Sequence, residues 1–167
     1  QYEQFFKNKK VTVMGLGLLG RGVGDSVFLA ENDVQLLITD KKTKEQLASS
    51  VDELRQFSSV EYTLGEHKLT DFENRDFILK AAGVPYDSEY IAHAVKHNIP
   101  VYMSAALISS IVMKELPEVT VIGVTGTRGK STTTELITHI IKENGLRVHL
   151  GGNVRGVSNL QLLNEVK

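Results

Sequence analysis

The feature that most narrows the fold is a local plan that occurs twice. A β-branched apolar run enters a glycine-rich turn and leaves it as a helical stretch, once near Gly15 and again near Gly129. A strand that feeds a helix in this way belongs to a parallel sheet, because parallel neighbours need a long return connection. The alternation holds along the chain. Runs 11–15, 34–39, 77–82, 100–103, 120–125 and 147–152 read as strands, and 59–64 as a weaker one. Stretches 18–32, 44–57, 88–98, 105–116 and 129–144 read as helices, the last stopped by Asn144-Gly145. "KELPEV" (114–119) sets a proline and flanking charges between a helix and the next apolar run, so it marks a domain boundary.

The first turn, "GLGLLG" (Gly15 to Gly20), has G-x-G-x-x-G spacing after a strand and before a helix. Glycine permits the tight turn and the close approach of backbone to a pyrophosphate, and the N–H groups opening the helix face the anion. Asp40 ends the next strand, where a carboxylate accepts hydrogen bonds from a ribose. These donors and acceptors suit NAD or any other ribonucleoside diphosphate. Lys41 and Lys42 follow Asp40, and are read either as a solvated loop or as partners of a phosphate or base edge.

The second turn, "VTGTRGKSTTT" (Val124 to Thr134), ends like a phosphate loop. The G-x-x-x-x-G-K-[ST] pattern places its first glycine at 124, where the chain has Val124, and glycines stand instead at 123 and 126. The chemistry of the ending is intact. Lys130 supplies an ammonium for terminal phosphates, and the Ser131 hydroxyl can ligate Mg²⁺.

With 167 residues, 41% hydrophobic and a net charge of -1, the chain is long enough for one or two domains. It lacks the charge asymmetry that would point to nucleic acid or an anionic membrane. Without cysteine there is neither disulfide nor thiolate chemistry, in keeping with a cytoplasmic setting. The most apolar run, "VYMSAALISSIVM", is broken by serines and is shorter than the roughly 20 residues a membrane span needs. The start at Gln1 and the stop in "LQLLNEVK" lead us to expect the first part of a longer protein. His93 and His97 stand at i, i+4; with no third ligand in view they read as a solvated helix face. His139 and His149 have no evident partner.

"GVTGTRGKSTTT" (123–134) resembles the ATP loop of the Mur ligase superfamily, G-[IV]-T-G-T-x-G-K-[ST]-[ST], and "LGGNVRG" (150–156) resembles its G-G-N-x-G segment. "GLGLLG" with Asp40 is similar to the first domain of the D-glutamate-adding branch. "AAGVP" (81–85) lies where that family reads S-P-G-[IV]: Gly83 and Val84 fit, while Ala81 and Ala82 replace Ser-Pro. "NIPVYMSAALI" resembles G-I-P-V-x-[SG]-x-[IL]-E-L without the glutamate.

The resemblance implies an α/β chain with a Rossmann-like parallel-sheet domain at 1–116 that binds the UDP of a substrate. The start of a P-loop ATPase-type α/β domain follows at 117–167. It implies UDP-substrate contacts at Gly15, Gly17, Leu18, Leu19, Gly20, Asp40 and Gly83, with Asn153 near the ATP γ-phosphate and the acceptor. ATP would be held by Thr125, Gly126, Thr127, Arg128, Gly129, Lys130, Ser131 and Thr132. Lys130 would be catalytic and Ser131 would hold Mg²⁺; Arg128 reaches a phosphate or faces water. The implied reaction uses ATP to phosphorylate the carboxylate of UDP-N-acetylmuramoyl-L-alanine, after which the amine of D-glutamate displaces phosphate. The family's Mg²⁺-binding glutamate and modified lysine are expected after residue 167, so the chain alone is expected to bind but not to ligate. A monomer is expected, with no nucleic-acid or membrane partner. A nicotinamide-dependent dehydrogenase would leave Lys130-Ser131 without a task, and a non-catalytic nucleotide-binding module fits poorly with that intact loop.

Overall fold

Strands with apolar side chains on both faces must be covered on both, and five such runs here pair side by side. The computed structural model describes residues 2–17, 20–152 and 157–166. Its elements, in chain order, are α1 (Glu3–Phe6), β1 (Lys10–Met14), α2 (Arg21–Glu31), β2 (Gln35–Asp40), α3 (Ala48–Glu53) and β3 (Val60–Leu64). A 3₁₀ turn (Leu69–Phe72) follows, then β4 (Phe77–Lys80), α4 (Glu89–Lys96), β5 (Val101–Tyr102), α5 (Ser104–Glu115), α6 (Lys130–Glu143) and α7 (Leu162–Glu165). The sheet order is β3-β2-β1-β4-β5, and every pair is parallel. The α/β parallel-sheet expectation therefore holds, and the weakly marked run 59–64 is a full member of the sheet.

Register decides what each face buries. Val11 pairs with Leu36 and Phe77, and Val13 with Ile38 and Leu79. This face joins Phe28 and Leu29 of α2 and Leu107, Ile111 and Val112 of α5 in the larger core. Full burial of one such side chain is worth ~1.5–3 kcal/mol. On the other face Met14 and Ile78 meet Phe72, Ile91, Ala94 and Ile99. The last described residues return to the larger core: Leu160 and Leu163 are buried in it. The Tyr2 hydroxyl donates to Asn164 Oδ1 at 2.9 Å. Segment 157–166, which the sequence places after the boundary at 116, thus shares the core of the first unit.

Two expected strands do not form. Segments 120–125 and 147–152 pair with no strand among the described residues. Their β-branched composition is a local signal, but a strand exists only where a neighbour takes its N–H and C=O groups. α6 accordingly buries no residue, and Leu136 and Ile140 are exposed. No helix among the described residues is long and apolar enough to cross a membrane.

Candidate functional site

The strand order reverses between β1 and β4, and the crevice beyond the carboxyl ends of the strands at such a point is where α/β sheets hold ligands. The ladder runs up to its rim: Gly15 N–H donates to Thr39 O and Ala81 N–H to Met14 O, both at 2.9 Å. Gly15 leaves β1 with φ +92°, and a Cβ there would stand 3.0 Å from the Ala81 Cβ. Only glycine meets both demands. Gly20, at φ 80°, caps the start of α2. Gly83 lies two residues past Ala81, and among the described residues, its chain neighbours aside, no atom lies within 4 Å of where its Cβ would be. Leu18 and Leu19 lie outside the described residues.

Asp40, at the end of β2 and buried, is already engaged. Its Oδ2 accepts the Gly17 N–H at 3.2 Å and its Oδ1 the Lys42 N–H at 2.9 Å. An ionised carboxylate has about four acceptor sites, so capacity for a ribose remains. Asp40 is also the brace that holds the glycine loop. Behind it, Thr39 Oγ1 lies 3.2 Å from Asp71 Oδ2 and 2.8 Å from His67 Nδ1. Asp71 accepts in addition from Thr63 Oγ1 at 3.1 Å and from the Lys68 N–H at 2.9 Å. Burial, then the nearby Lys41 charge, pulls the His67 pKa below its ordinary value.

The second loop is open. Residues 125–132 are exposed. Gly126 and Gly129 have φ of 146° and 76°, and Gly129 caps α6. Lys130 folds back so that its Nζ donates to Gly126 O at 2.6 Å, placing a cation at the mouth of the loop. Ser131 and Thr132 follow it in the first turn of α6, whose free N–H groups and dipole favour an anion. Arg128 is exposed beside them. Asn153 lies outside the described residues.

Residues 9–103 match the family model for the Mur ligase MurD-like N-terminal domain, which covers the first loop and ends before the second. The chain is 37% identical over 161 residues to UDP-N-acetylmuramoylalanine–D-glutamate ligase of Borreliella burgdorferi, covering 96% of this chain. The chain belongs to the MurD-like Mur ligases. It is 32% identical over 160 residues to the ligase of the same name from Treponema pallidum, covering 92% of this chain. It spans 34% of the Borreliella protein and 28% of the Treponema one. Among solved structures, UDP-N-acetylmuramate-alanine ligase of Thermotoga maritima aligns with a TM-score of 0.49 at 20% identity, over 83% of this chain and 30% of that one.

Two residues of this MurD-like chain at the crevice escaped the sequence reading. Lys80 ends β4, is buried, donates from Nζ to Val84 O at 2.7 Å and lies 4.3 Å above the Tyr86 ring. Burial lowers its pKa. It ties the 81–86 connection to the strand, and no sequence pattern marks a lysine inside an apolar run as an anchor. Lys80→Met is expected to speed amide exchange in 81–86 by about 10-fold or more, since one hydrogen bond from a charged group is worth ~1.5–3 kcal/mol. Unchanged exchange there, measured by mass spectrometry, would remove that role. The second residue is Gly22, whose missing Cβ lets α2 meet the glycine loop. His149, expected to be alone, pairs with Glu165 at 3.0 Å.

Proposed function

We propose that the chain is the substrate-nucleotide-binding part, with the ATP loop, of an ATP-dependent ligase that adds D-glutamate to UDP-N-acetylmuramoyl-L-alanine in peptidoglycan precursor synthesis. The supporting observation is that one MurD-like chain carries two different glycine-rich turns, each opening a helix. One is braced by Asp40 at the β1/β4 crevice, and the other opens α6 with Lys130 and Ser131. A dehydrogenase needs only the first. In this reading residues 1–116 receive the uridine diphosphate and 117–167 begin the ATP-binding unit, whose segment 157–166 packs back onto the first.

Gly15, Gly17 and Gly20 would let the backbone approach the pyrophosphate, with Asp40 taking ribose hydroxyls and Gly83 leaving the opposite wall open. The second loop suits a nucleoside triphosphate. It is exposed, has glycines of positive φ at 126 and 129, and carries an ammonium that donates to a loop carbonyl. Thr125 to Thr132 would wrap the phosphates, Lys130 would leave Gly126 for the terminal ones, and Ser131 would hold Mg²⁺. When bound, Mg²⁺ supplies charge neutralisation at the phosphates. The work left to these residues is to position two anions and screen their repulsion while the carboxylate becomes an acyl phosphate and the amine displaces phosphate. Asn153 would lie beside that centre.

Calorimetric titration of the 167-residue chain with UDP-N-acetylmuramoyl-L-alanine and, separately, NADH tests the reading. One UDP-sugar should bind per chain, about 10-fold more weakly in Asp40→Asn, the loss of one charge-assisted hydrogen bond. The chain alone should show no ligation. Binding of NADH without the UDP-sugar would hand the crevice to a nicotinamide enzyme.

A further inference from the structure

The sequence offers His93 and His97 as a helical pair with no third ligand, and the fold brings one. Glu73 follows the 3₁₀ turn, 20 residues before His93, and its Oε1 lies 2.8 Å from His93 Nε2. One ligand atom from each of Glu73, His93 and His97 lies within 4.8 Å of the other two. We propose that these three residues form a site for a divalent transition-metal ion of the zinc class. The ion would fasten the C-terminal end of α4 to the connection between the 3₁₀ turn and β4.

The ring chemistry supports the assignment. His97 Nδ1 lies 2.8 Å from the backbone carbonyl of His93. A carbonyl only accepts, so Nδ1 carries the proton and Nε2 presents its lone pair. A hydrogen bond from the far ring nitrogen to a carbonyl is how metal-binding histidines are commonly oriented. The two imidazoles already lie side by side, tilted by 44° with centroids 4.3 Å apart. Between His93 and Glu73 the present link is a proton, and a metal ion replaces it by taking the Nε2 lone pair and the carboxylate together. Two imidazoles and a carboxylate suit Zn²⁺, Ni²⁺ or Cu²⁺ better than Mg²⁺ or Ca²⁺. Tetrahedral zinc at ~2.0–2.1 Å from each ligand sets the donors about 3.3–3.4 Å apart, so Glu73 Oε1 and His93 Nε2 open slightly from 2.8 Å while exposed His97 draws in. Water completes the shell.

The scaffold beneath is rigid. Phe72, next to Glu73, and Ile91 and Ala94, flanking His93, are all buried in the smaller core. The backbones that carry two of the ligands are therefore fixed by packing, the condition for a built site. His97 caps α4 at its carboxyl end, where the helix dipole favours a cation. Glu73 precedes β4 and His97 precedes β5, and both strands run parallel. The cluster thus sits at the amino-terminal edge of the sheet, across from the glycine crevice, and its occupancy is separable from nucleotide binding.

The test is titration of the 167-residue chain with Zn²⁺, and with Co²⁺ as an absorbing substitute, in a buffer that does not chelate. One ion should bind per chain, and Zn²⁺ should raise the thermal unfolding midpoint, as a ligand of the folded state alone must. Loss of even an outer-shell partner costs ~10–100-fold in metal affinity. His97→Ala, an exposed change that leaves the core intact, should therefore weaken binding by about 100-fold or more and abolish the midpoint shift. Glu73→Gln keeps a hydrogen-bond partner for His93 and should weaken binding by about 10-fold. The chain has five histidines, and His139→Ala should change nothing. Absence of saturable binding below about 1 mM, or an isotherm unchanged in both His97→Ala and Glu73→Gln, would overturn the proposal. So would binding that disappears with His139.

Discussion

Gly22→Ala is expected to unfold the chain, or to destabilise it by about 3 kcal/mol or more. A Cβ on Gly22 would lie 2.1 Å from the Leu16 carbonyl oxygen, 2.8 Å from its carbon and 3.1 Å from the Gly15 oxygen. All three are backbone atoms, in a turn pinned on one side by the Gly15–Thr39 hydrogen bond and on the other by the Gly17–Asp40 one. The loop cannot yield without loosening these two bonds, and α2 cannot back away without withdrawing Phe28 and Leu29 from the core. The fingerprint assigns close helix–strand approach to its third glycine, but here Gly20 serves as a left-handed helix cap and the close approach falls to Gly22. Gly17→Ala is the control. Among the described residues, its chain neighbours aside, nothing lies within 4 Å of its Cβ, so the strain at φ +69° is the cost that remains, about 1–2 kcal/mol. Urea denaturation followed by circular dichroism separates the two. Equal midpoints would mean that α2 does not sit against the loop as described.

The same contrast shows what was legible in the sequence. The "GLGLLG" turn, the strand before it and Asp40 after the next strand could be placed because each is a short-range pattern with one dominant cause. That the third glycine's role shifts by two residues could not be read, because the approach of α2 to Leu16 is tertiary. Strands β1, β2, β4 and β5 were marked by apolar runs. Yet "TVIGVT" (120–125) carries the same mark and pairs with nothing among the described residues. Composition reports what a segment prefers, and pairing decides what it becomes. The helical stretch 44–57 condenses to α3 at 48–53, with Leu47 and Leu54 buried at its two ends. The Asp71 network and the Glu73–His93 contact joined residues far apart in the chain, through side chains ordinary on any surface. The second loop was read from its motif, and the structure adds the Lys130–Gly126 contact that keeps its cation in place.

Asp25→Ala should release segment 157–166 from the body of the molecule. The buried Asp25 carboxylate accepts from the Ser158 hydroxyl at 2.6 Å and from the Leu160 N–H at 3.0 Å, both on Oδ1. Gly24 beside it leaves room for Ser158, whose Cβ would stand 2.6 Å from a Cβ at 24. Leu160 and Leu163 follow into the core. Alanine strands a buried N–H and a buried hydroxyl, each costing ~1–3 kcal/mol, so a total loss of about 2–6 kcal/mol is expected. The carboxylate has its own cost. Burial raises its folded-state pKa above the ordinary 3.8, against the lowering effect of its hydrogen bonds. As pH rises from 3.8 through that raised value, the folded state still holds a proton that the unfolded state has released. Stability contributed by this group therefore falls across the window and stays low above it. Asp25→Asn retains an acceptor for both donors but cannot titrate, so its stability should lack that slope while the segment remains docked. Urea midpoints for the three proteins between about pH 4 and 7, with amide exchange at Leu160, resolve the matter. An Asp25→Asn profile parallel to the parent's would show that the pH dependence arises elsewhere. Undiminished protection at Leu160 in Asp25→Ala would show that the apolar contacts of Leu160 and Leu163 hold the segment by themselves.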